Sequence, residues 1–449
     1  MTLLSIAARR PDAVEADIRV LGGQEVAFFR LAEGPHRGAI GEDEGRSIET
    51  LVHTAVDVGV PIVGVLATSG AEIGGGVASL AAWGRVAAAM AHASGVVPIV
   101  LAVVGPCVSG PSLLLGLADV VVMSADGFAF VSSPISVAAI TGLQVEAADL
   151  GGPAVHTMRS GVAALVADDE VGALEAVIHV LAFLPDNNMS EPTVWPTDDP
   201  VERPCERAAR VVPDSANASY DVRVVVADVV DDAELLELWA GFAPNLVTAL
   251  ATIDGRPVGI IANQPQALAG TLDIEASQKG ARFVQLCDAF NIPLVTFVDT
   301  PGFQPGKDIE WRGMIRKGAQ LVHAYAAATV PRVCVVLRKA YGGAYIVMDS
   351  KGVGNDFCVA WPGAEMAVMG AAGAVEILHG RRGVTDAERA ELEADYAARF
   401  CTPATAARRG FVDDVIDPLA TRQVVALALR ALRRKRERLP RRGHANTPL

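Results

Sequence analysis

A chain that carries the same strand–helix–strand unit twice is confined to folds made of two like halves, and this sequence repeats itself at fixed landmarks. VPIVGVLATSG (60–70) and IPLVTFVDTPG (292–302) are short apolar runs with proline at the second position and a Gly turn at the end. Such uniform apolarity over so few residues is the pattern of a parallel strand buried on both faces. An Ala-rich helical stretch follows each run, 77–92 in the first half and 313–328 in the second. A second strand comes next, and VPIVLAVVGPCVSG (97–110) corresponds to VPRVCVVLRKAYGG (330–343). The strand prolines stand 37 residues apart in the first half (61 to 98) and 38 in the second (293 to 331). The turn glycines stand 40 apart (70 to 110) and 41 apart (302 to 343). Landmarks kept in step this way predict an α/β fold of two tandem domains related by internal duplication.

The 449 residues suffice for two domains of ordinary size. A Pro-, Asp- and Asn-rich stretch containing PDNN, SEP and WPTDDP has the composition of an exposed linker. The domains are accordingly expected at 1–190 and 218–449, with the linker at 191–217. Beyond residue 420, Val425, Leu429, Leu432 and Leu439 fall at helical spacing, with Arg and Lys toward the helix end as its dipole favours.

Composition narrows the function classes. A formal charge of −14 is unsuited to nucleic acid, which demands clustered Lys and Arg, and the one basic run, 430–442, reads as a solvated helix end and tail. Six cysteines without a CxxC pair give no metal site or disulfide framework. The N-terminus places its charges after a very short apolar run, unlike a secretory signal, so a reducing, cytoplasmic setting is expected. The window 86–118 carries no Asp, Glu, Lys or Arg, but its Gly and Pro residues break it into strand, turn and helix, so no membrane span is expected.

A Gly-rich turn that opens a helix presents backbone N–H groups to whatever lies beyond the strand end. The duplication supplies two: Ser109 and Gly110 in the first half, Gly343 and Ala344 in the second. Two such donor pairs suit a reaction in which negative charge develops on two oxygens in turn, although tight packing accounts equally well for either turn alone. His156 reads as a structural histidine and Cys107 as a small buried apolar residue.

The stretch 263–377, through ANQPQALAGTLDIEASQKGARFVQLCDAFNIPLVTFVDTPGFQPG, RKAYGGAYIVM and AWPGAEMAVMGAAGAVEIL, resembles the carboxyltransferase β subunits of acetyl-CoA and propionyl-CoA carboxylases. GPCVSGP, LADVVVM, LGGPAVHTMRSGVA and SYDVRVVVADVVDD extend the resemblance more weakly over the rest. It implies a crotonase-like (ClpP/crotonase) fold in each half, an acyl-CoA side in the first domain and a biotin side in the second. It also implies a hexamer, or a hetero-oligomer with a related β subunit, served by biotin carboxylase and biotin carboxyl carrier polypeptides. Carboxybiotin and a coenzyme A thioester are the implied cofactor and substrate, with no metal in this chain.

Residue by residue, the resemblance puts Gly343 and Ala344 on the biotin carbonyl oxygen, flanked by Pro301, Gly302, Phe303, Tyr341 and Gly342. A β-branched residue at Gly343 is expected to distort that turn. Ser109 and Gly110 fall on the thioester enolate, with Arg37, Gly38, Gly70 and Ala71 along the acyl-CoA cleft. Ile346 occupies a position that is commonly Asp in enzymes preferring propionyl-CoA and apolar in those accepting acetyl-CoA, although an Ile on a helix face also reads as plain core. The first half departs from the family pattern: Arg37 stands at a glycine position, Glu72 at an arginine, Ser109 at a glycine and Pro111 at an alanine. In the second half Gln304 and Lys307 replace an apolar and a small residue. Three activities therefore fit: a carboxyltransferase, a decarboxylase or transcarboxylase acting on a carboxylated thioester, and a non-catalytic partner subunit.

Overall fold

Each half builds its own sheet. The computed structural model describes residues 14–31, 37–215, 217–379, 385–435, 437, 439–441 and 446–448. One unit runs to Thr193 and includes Trp239–Phe242 and Ala289–Asn291; the other comprises Val194–Leu238, Ala243–Asp288 and Ile292–Leu449.

In the first unit the strands are β1 (Val14–Leu21), β2 (Gln24–Leu31), β3 (Ile62–Thr68), β4 (Ile99–Val108), β5 (Val120–Ser124), β6 (Phe128–Phe130) and β7 (Leu165–Ala167). β1 and β2 form a hairpin whose two turn residues, Gly22 and Gly23, both have positive φ, which glycine adopts without a Cβ clash. From β2 the sheet continues in parallel through β3, β4, β5 and β7, while β6 pairs with the end of β4.

The second unit has β8 (Leu235–Glu237), β9 (Leu246–Ile253), β10 (Arg256–Asn263), β11 (Leu294–Thr300), β12 (Arg332–Tyr341), β13 (Phe357–Ala360), β14 (Glu365–Ala367) and β15 (Asp414–Val415). Its order from β9 to β15 reproduces the first sheet, including the antiparallel hairpin and the short strand β14 beside β12. β8 is an addition at the edge.

The duplication reaches individual bonds. Leu66 pairs with Val103 and Thr68 with Cys107, so the register slips by two residues at the strand ends; Val298 with Val336 and Thr300 with Ala340 repeat that slip. Asp119 accepts the Ile99 N–H at 2.8 Å, and Asp356 accepts the Arg332 N–H at 2.8 Å. β3 and β11 are buried along their whole length, as strands covered on both faces must be.

The covering helices lie where the sequence periodicity puts them, at Val77–Ala93 and Met314–Ala327. The uncharged window becomes the end of the first of these helices, β4 and a 3₁₀ stretch at Gly110–Leu117. Among the described residues no helix is long and apolar enough to cross a membrane.

The stretch 191–217 is largely exposed, but parts of it pack. From Val194 it belongs to the second unit, and Cys205 and Ala208 are fully buried there. Arg203 bonds Asp199 at 2.7 Å and the Asp228 carbonyl at 3.0 Å. The Pro and Asp content marks irregular backbone, but the spacing of Val201, Cys205 and Ala208 supplies a face that packs. The C-terminal helix Thr421–Leu432 buries Val425 and Leu429, while Leu439 lies beyond it and is exposed. That helix also carries Arg422, wholly buried, which donates to the carbonyls of Val229 (2.7 Å), Asp199 (3.0 Å) and Pro200 (3.0 Å) and to the Asp231 carboxylate at 2.6 Å.

Candidate active site

The two turns singled out in the sequence occupy corresponding places, at the ends of β4 and β12. In the first unit the segment beginning at Arg37 lies beside the end of β3. The Arg37 carbonyl accepts the Ser69 N–H (3.0 Å), Ile40 N–H donates to the Gly70 carbonyl (2.8 Å), and Ile40 and Ala71 form a bridge. Arg37 and Gly38 take positive φ, 52° and 65°, to make this approach, and Arg37 is exposed. Gly70, at φ 106°, sits against the next turn: a Cβ there would lie 3.0 Å from Ser109 Cβ and 3.1 Å from the Val108 carbonyl oxygen. Arg37, Gly38, Gly70, Ala71, Ser109 and Gly110 are thus brought together.

The donor pair expected at this turn is not formed as expected. The Ser109 N–H is bonded to the Phe130 carbonyl at 2.9 Å, which continues the β4–β6 pairing, and Ser109 holds φ 64°, a conformation that glycine takes more readily. Pro111 has no N–H. The Gly110 N–H, first in the 3₁₀ stretch, is the group that a helix start leaves without an intrahelical acceptor.

In the second unit Leu272 bridges Phe303 as Ile40 bridges Ala71, and the Gly302 N–H donates to Thr300 Oγ1 as the Gly70 N–H does to Thr68 Oγ1. β12 ends at Tyr341, whose hydroxyl bonds Glu365; burial and that carboxylate push the phenol well above its ordinary pKa, so it stays protonated. Gly342, at φ 59°, turns the chain into the helix Gly342–Val347, so the Gly343 and Ala344 N–H groups fall in its first turn. Gly342, Gly343 and Ile346 line a cavity of about 520 Å³ whose other walls include Val368, Phe400 and Phe411. Ile346 is 43% exposed, so it is a cavity wall and not core. Pro301 and Gly302 are half-buried, and the Phe303 ring would touch a Cβ at Gly343 at 3.5 Å.

Behind this turn lies a buried ion pair that the sequence reading did not find. Asp299 bonds Arg338 Nε at 3.0 Å and the Lys339 N–H at 3.1 Å, and Arg338 also holds the Ser215 and Ala218 carbonyls, each at 2.7 Å. The matching register positions in the first unit are Ala67 and Gly105, where a Cβ on Gly105 would meet Ala67 Cβ at 3.2 Å. The signal was present as an acid and a base at the ends of paired strands that otherwise read as apolar.

His156 is structural: Nε2 meets the Ala129 carbonyl at 2.8 Å and Nδ1 meets Ser160 at 2.7 Å. Burial pushes the Cys107 thiol up to about 12, which makes it inert. Among the described residues no cluster of His, Cys, Asp and Glu could hold a metal ion.

A carboxyl transferase domain model matches residues 11–447. The chain belongs to the carboxyl transferase family. This carboxyl transferase is 44% identical to the propionyl-CoA carboxylase beta chain of Saccharopolyspora erythraea, covering 98% of this chain and 84% of that one. It is 42% identical to methylmalonyl-CoA decarboxylase subunit alpha of Veillonella parvula, over 92% of this chain and 80% of that one. Among solved structures, the hexameric transcarboxylase 12S crystallised with methylmalonyl-coenzyme A and methylmalonic acid superimposes with a TM-score of 0.96 at 40% identity, covering 100% of this chain and 88% of that chain. The crotonase-like duplicated fold read from the sequence is the fold of this carboxyl transferase.

Proposed function

We propose that this chain is the carboxyltransferase subunit of a biotin-dependent acyl-CoA carboxylase, moving a carboxyl group from carboxybiotin to the α-carbon of an acyl-CoA thioester. The observation that carries this reading is the second-unit turn. Gly342 and Gly343, without side chains, leave open the mouth of an apolar cavity and set the first N–H groups of a helix beside it. That cradle fits the flat, uncharged rings of biotin, and Gly342, at φ 59° with a would-be Cβ 3.2 Å from the Val368 carbonyl oxygen, is the position that keeps the turn in shape. Bound carboxybiotin supplies the activated carboxyl group and, once that is released, the base for the α-proton.

The Gly343 and Ala344 N–H groups would hold the biotin carbonyl oxygen as charge builds on it. In the first unit the Gly110 N–H would face the thioester oxygen when the α-carbon loses its proton. Arg37, Gly38, Gly70 and Ala71 would border the CoA portion. A separate carrier polypeptide and a biotin carboxylase would deliver the carboxyl group, and the subunit would assemble as a hexamer.

A purified complex of this chain with a biotin carrier and biotin carboxylase should fix labelled bicarbonate, with ATP, into one or more of acetyl-, propionyl- and butyryl-CoA. The similarity to a methylmalonyl-CoA decarboxylase subunit favours one second reading, release of carboxylate from a carboxylated thioester by the same turns. Fixation without net release supports the carboxylase; labelled CO₂ from methylmalonyl-CoA without fixation overturns it in favour of the decarboxylase; neither activity overturns both.

Acyl choice should respond to Ile346. Its apolar side chain on the cavity wall suits acetyl-CoA or a longer chain, so strict propionyl-CoA specificity is not expected. Ile346→Asp should shift the kcat/KM ratio between acetyl- and propionyl-CoA toward propionyl by about 10-fold or more, within the range that one pocket contact can supply. Equal ratios in a folded variant would show that Ile346 does not set selectivity.

A further inference from the structure

The acyl-side turn offers fewer backbone donors than its biotin-side counterpart. In the second unit Gly343 is followed by Ala344, which has an N–H. In the first unit Gly110 is followed by Pro111, which has none, and the preceding Ser109 N–H is bonded to Phe130. Gly110 is left as the lone backbone donor of the turn.

What packs against each glycine also differs. Gly343 faces the Phe303 ring, which carries no donor. Gly110 faces the indole of Trp83, on the helix Val77–Ala93: a Cβ on Gly110 would lie 2.8 Å from Cε2 and Cζ2 and 3.0 Å from Nε1. Trp83 Nε1 is buried and has no hydrogen-bond partner among the described residues. A buried indole N–H ordinarily finds an acceptor, and leaving it without one costs about 1–3 kcal/mol. An orphaned donor therefore calls for an explanation, and a role toward a ligand is one of the few available. The half of the chain that lacks the second backbone donor is the half that places a side-chain donor beside the remaining one.

We infer that the Trp83 Nε1–H is the second donor to the thioester oxygen in the acyl-side hole, standing in for the N–H that Pro111 lacks. This rests on the function proposed above. When the α-proton leaves, the carbonyl oxygen gains the electron pair as the C–O bond loses its double-bond character, and the Gly110 N–H and the indole N–H share the resulting charge. When the α-carbon attacks CO₂, the Cα–C π pair left by the α-proton forms the new C–C bond and the oxygen's pair falls back to restore the carbonyl. Trp83 donates a hydrogen bond throughout and transfers no proton.

Two variants in the assembled complex test this. Trp83→Phe removes the N–H and part of the ring; β-(3-benzothienyl)alanine at position 83 exchanges N–H for sulfur and keeps the bicyclic shape. With the favoured thioester both should lower kcat by about 10²–10³, the usual loss for one such donor, with KM changed less than about threefold. Loss of carboxyl from carboxybiotin in the absence of thioester should proceed at the wild-type rate. Wild-type kcat in the benzothienyl protein overturns the inference, as does a rise in KM alone, which would make Trp83 a packing wall. A wild-type complex that transfers carboxyl to no thioester overturns the proposed function as well, an outcome that differs from wild-type transfer kept intact by both variants.

Discussion

A Gly342→Val chain should fold and yet transfer carboxyl groups about 10²–10³ times more slowly. Gly342 holds φ 59°, where an L-residue pays about 1–2 kcal/mol, and its Cβ would stand 3.2 Å from the Val368 carbonyl oxygen. The backbone must rotate to relieve both, and the next two residues, Gly343 and Ala344, carry the N–H groups proposed to hold the biotin oxygen. Misdirecting one such donor accounts for the stated loss. Sequence reasoning put the distorting substitution at Gly343, but Gly343 lies outside the positive-φ region and a Cβ there would make an ordinary 3.5 Å contact with Phe303. Gly343→Ala is therefore the companion variant and should keep turnover within a few-fold. Steady-state transfer rates together with thermal unfolding of both proteins decide the matter; full activity in a folded Gly342→Val chain would remove the biotin-side turn from the mechanism.

Replacing Arg422 by alanine should produce the largest loss of stability. Its guanidinium is completely buried and satisfies three carbonyls and the Asp231 carboxylate, drawn from residues 199–200 and 229–231. Removing it takes the cationic partner from the buried Asp231 carboxylate, which keeps only the Asp254 and Gly255 N–H groups, and a side-chain donor from the three carbonyls, a change that typically costs about 3–5 kcal/mol. Exposed pairs such as Arg210 with Glu206 should matter by less than about 1 kcal/mol. Urea unfolding of Arg422→Ala and Arg210→Ala measures the contrast, and similar midpoints for the two would show that the clasp does not stabilise the unit.

The repeat was legible because it is written in apolar strands, prolines and turn glycines, all of which act locally. Turn positions followed for the same reason, since Gly110 and Gly343 each stand two residues past the end of a strand that an apolar run defines. The occupation of the Ser109 N–H was not legible: its acceptor, Phe130, is 21 residues away (130 − 109) on a three-residue strand with no periodicity of its own. The Asp299–Arg338 pair was hidden likewise, because two charges in separate apolar strands declare themselves only when the strands pair. The stretch 191–217 is largely exposed as its Pro and Asp content suggests, whereas the burial of Cys205 and Ala208 comes from packing against strands and helices far along the chain, which composition does not report.

Each sheet is drawn from one continuous span, β1 to β7 from Val14 to Ala167 and β8 to β15 from Leu235 to Val415. During synthesis, at about 5–20 residues per second, every strand of the first sheet has been made before the first strand of the second exists. That interval matters for a chain with two related strand patterns, since β3 and β11 each pair in parallel, with the same register slip, to the strand that follows. Misassembly between like segments is the characteristic failure of repeated sequences. Serial emergence from the ribosome lets the earlier copy close on itself before its competitor appears.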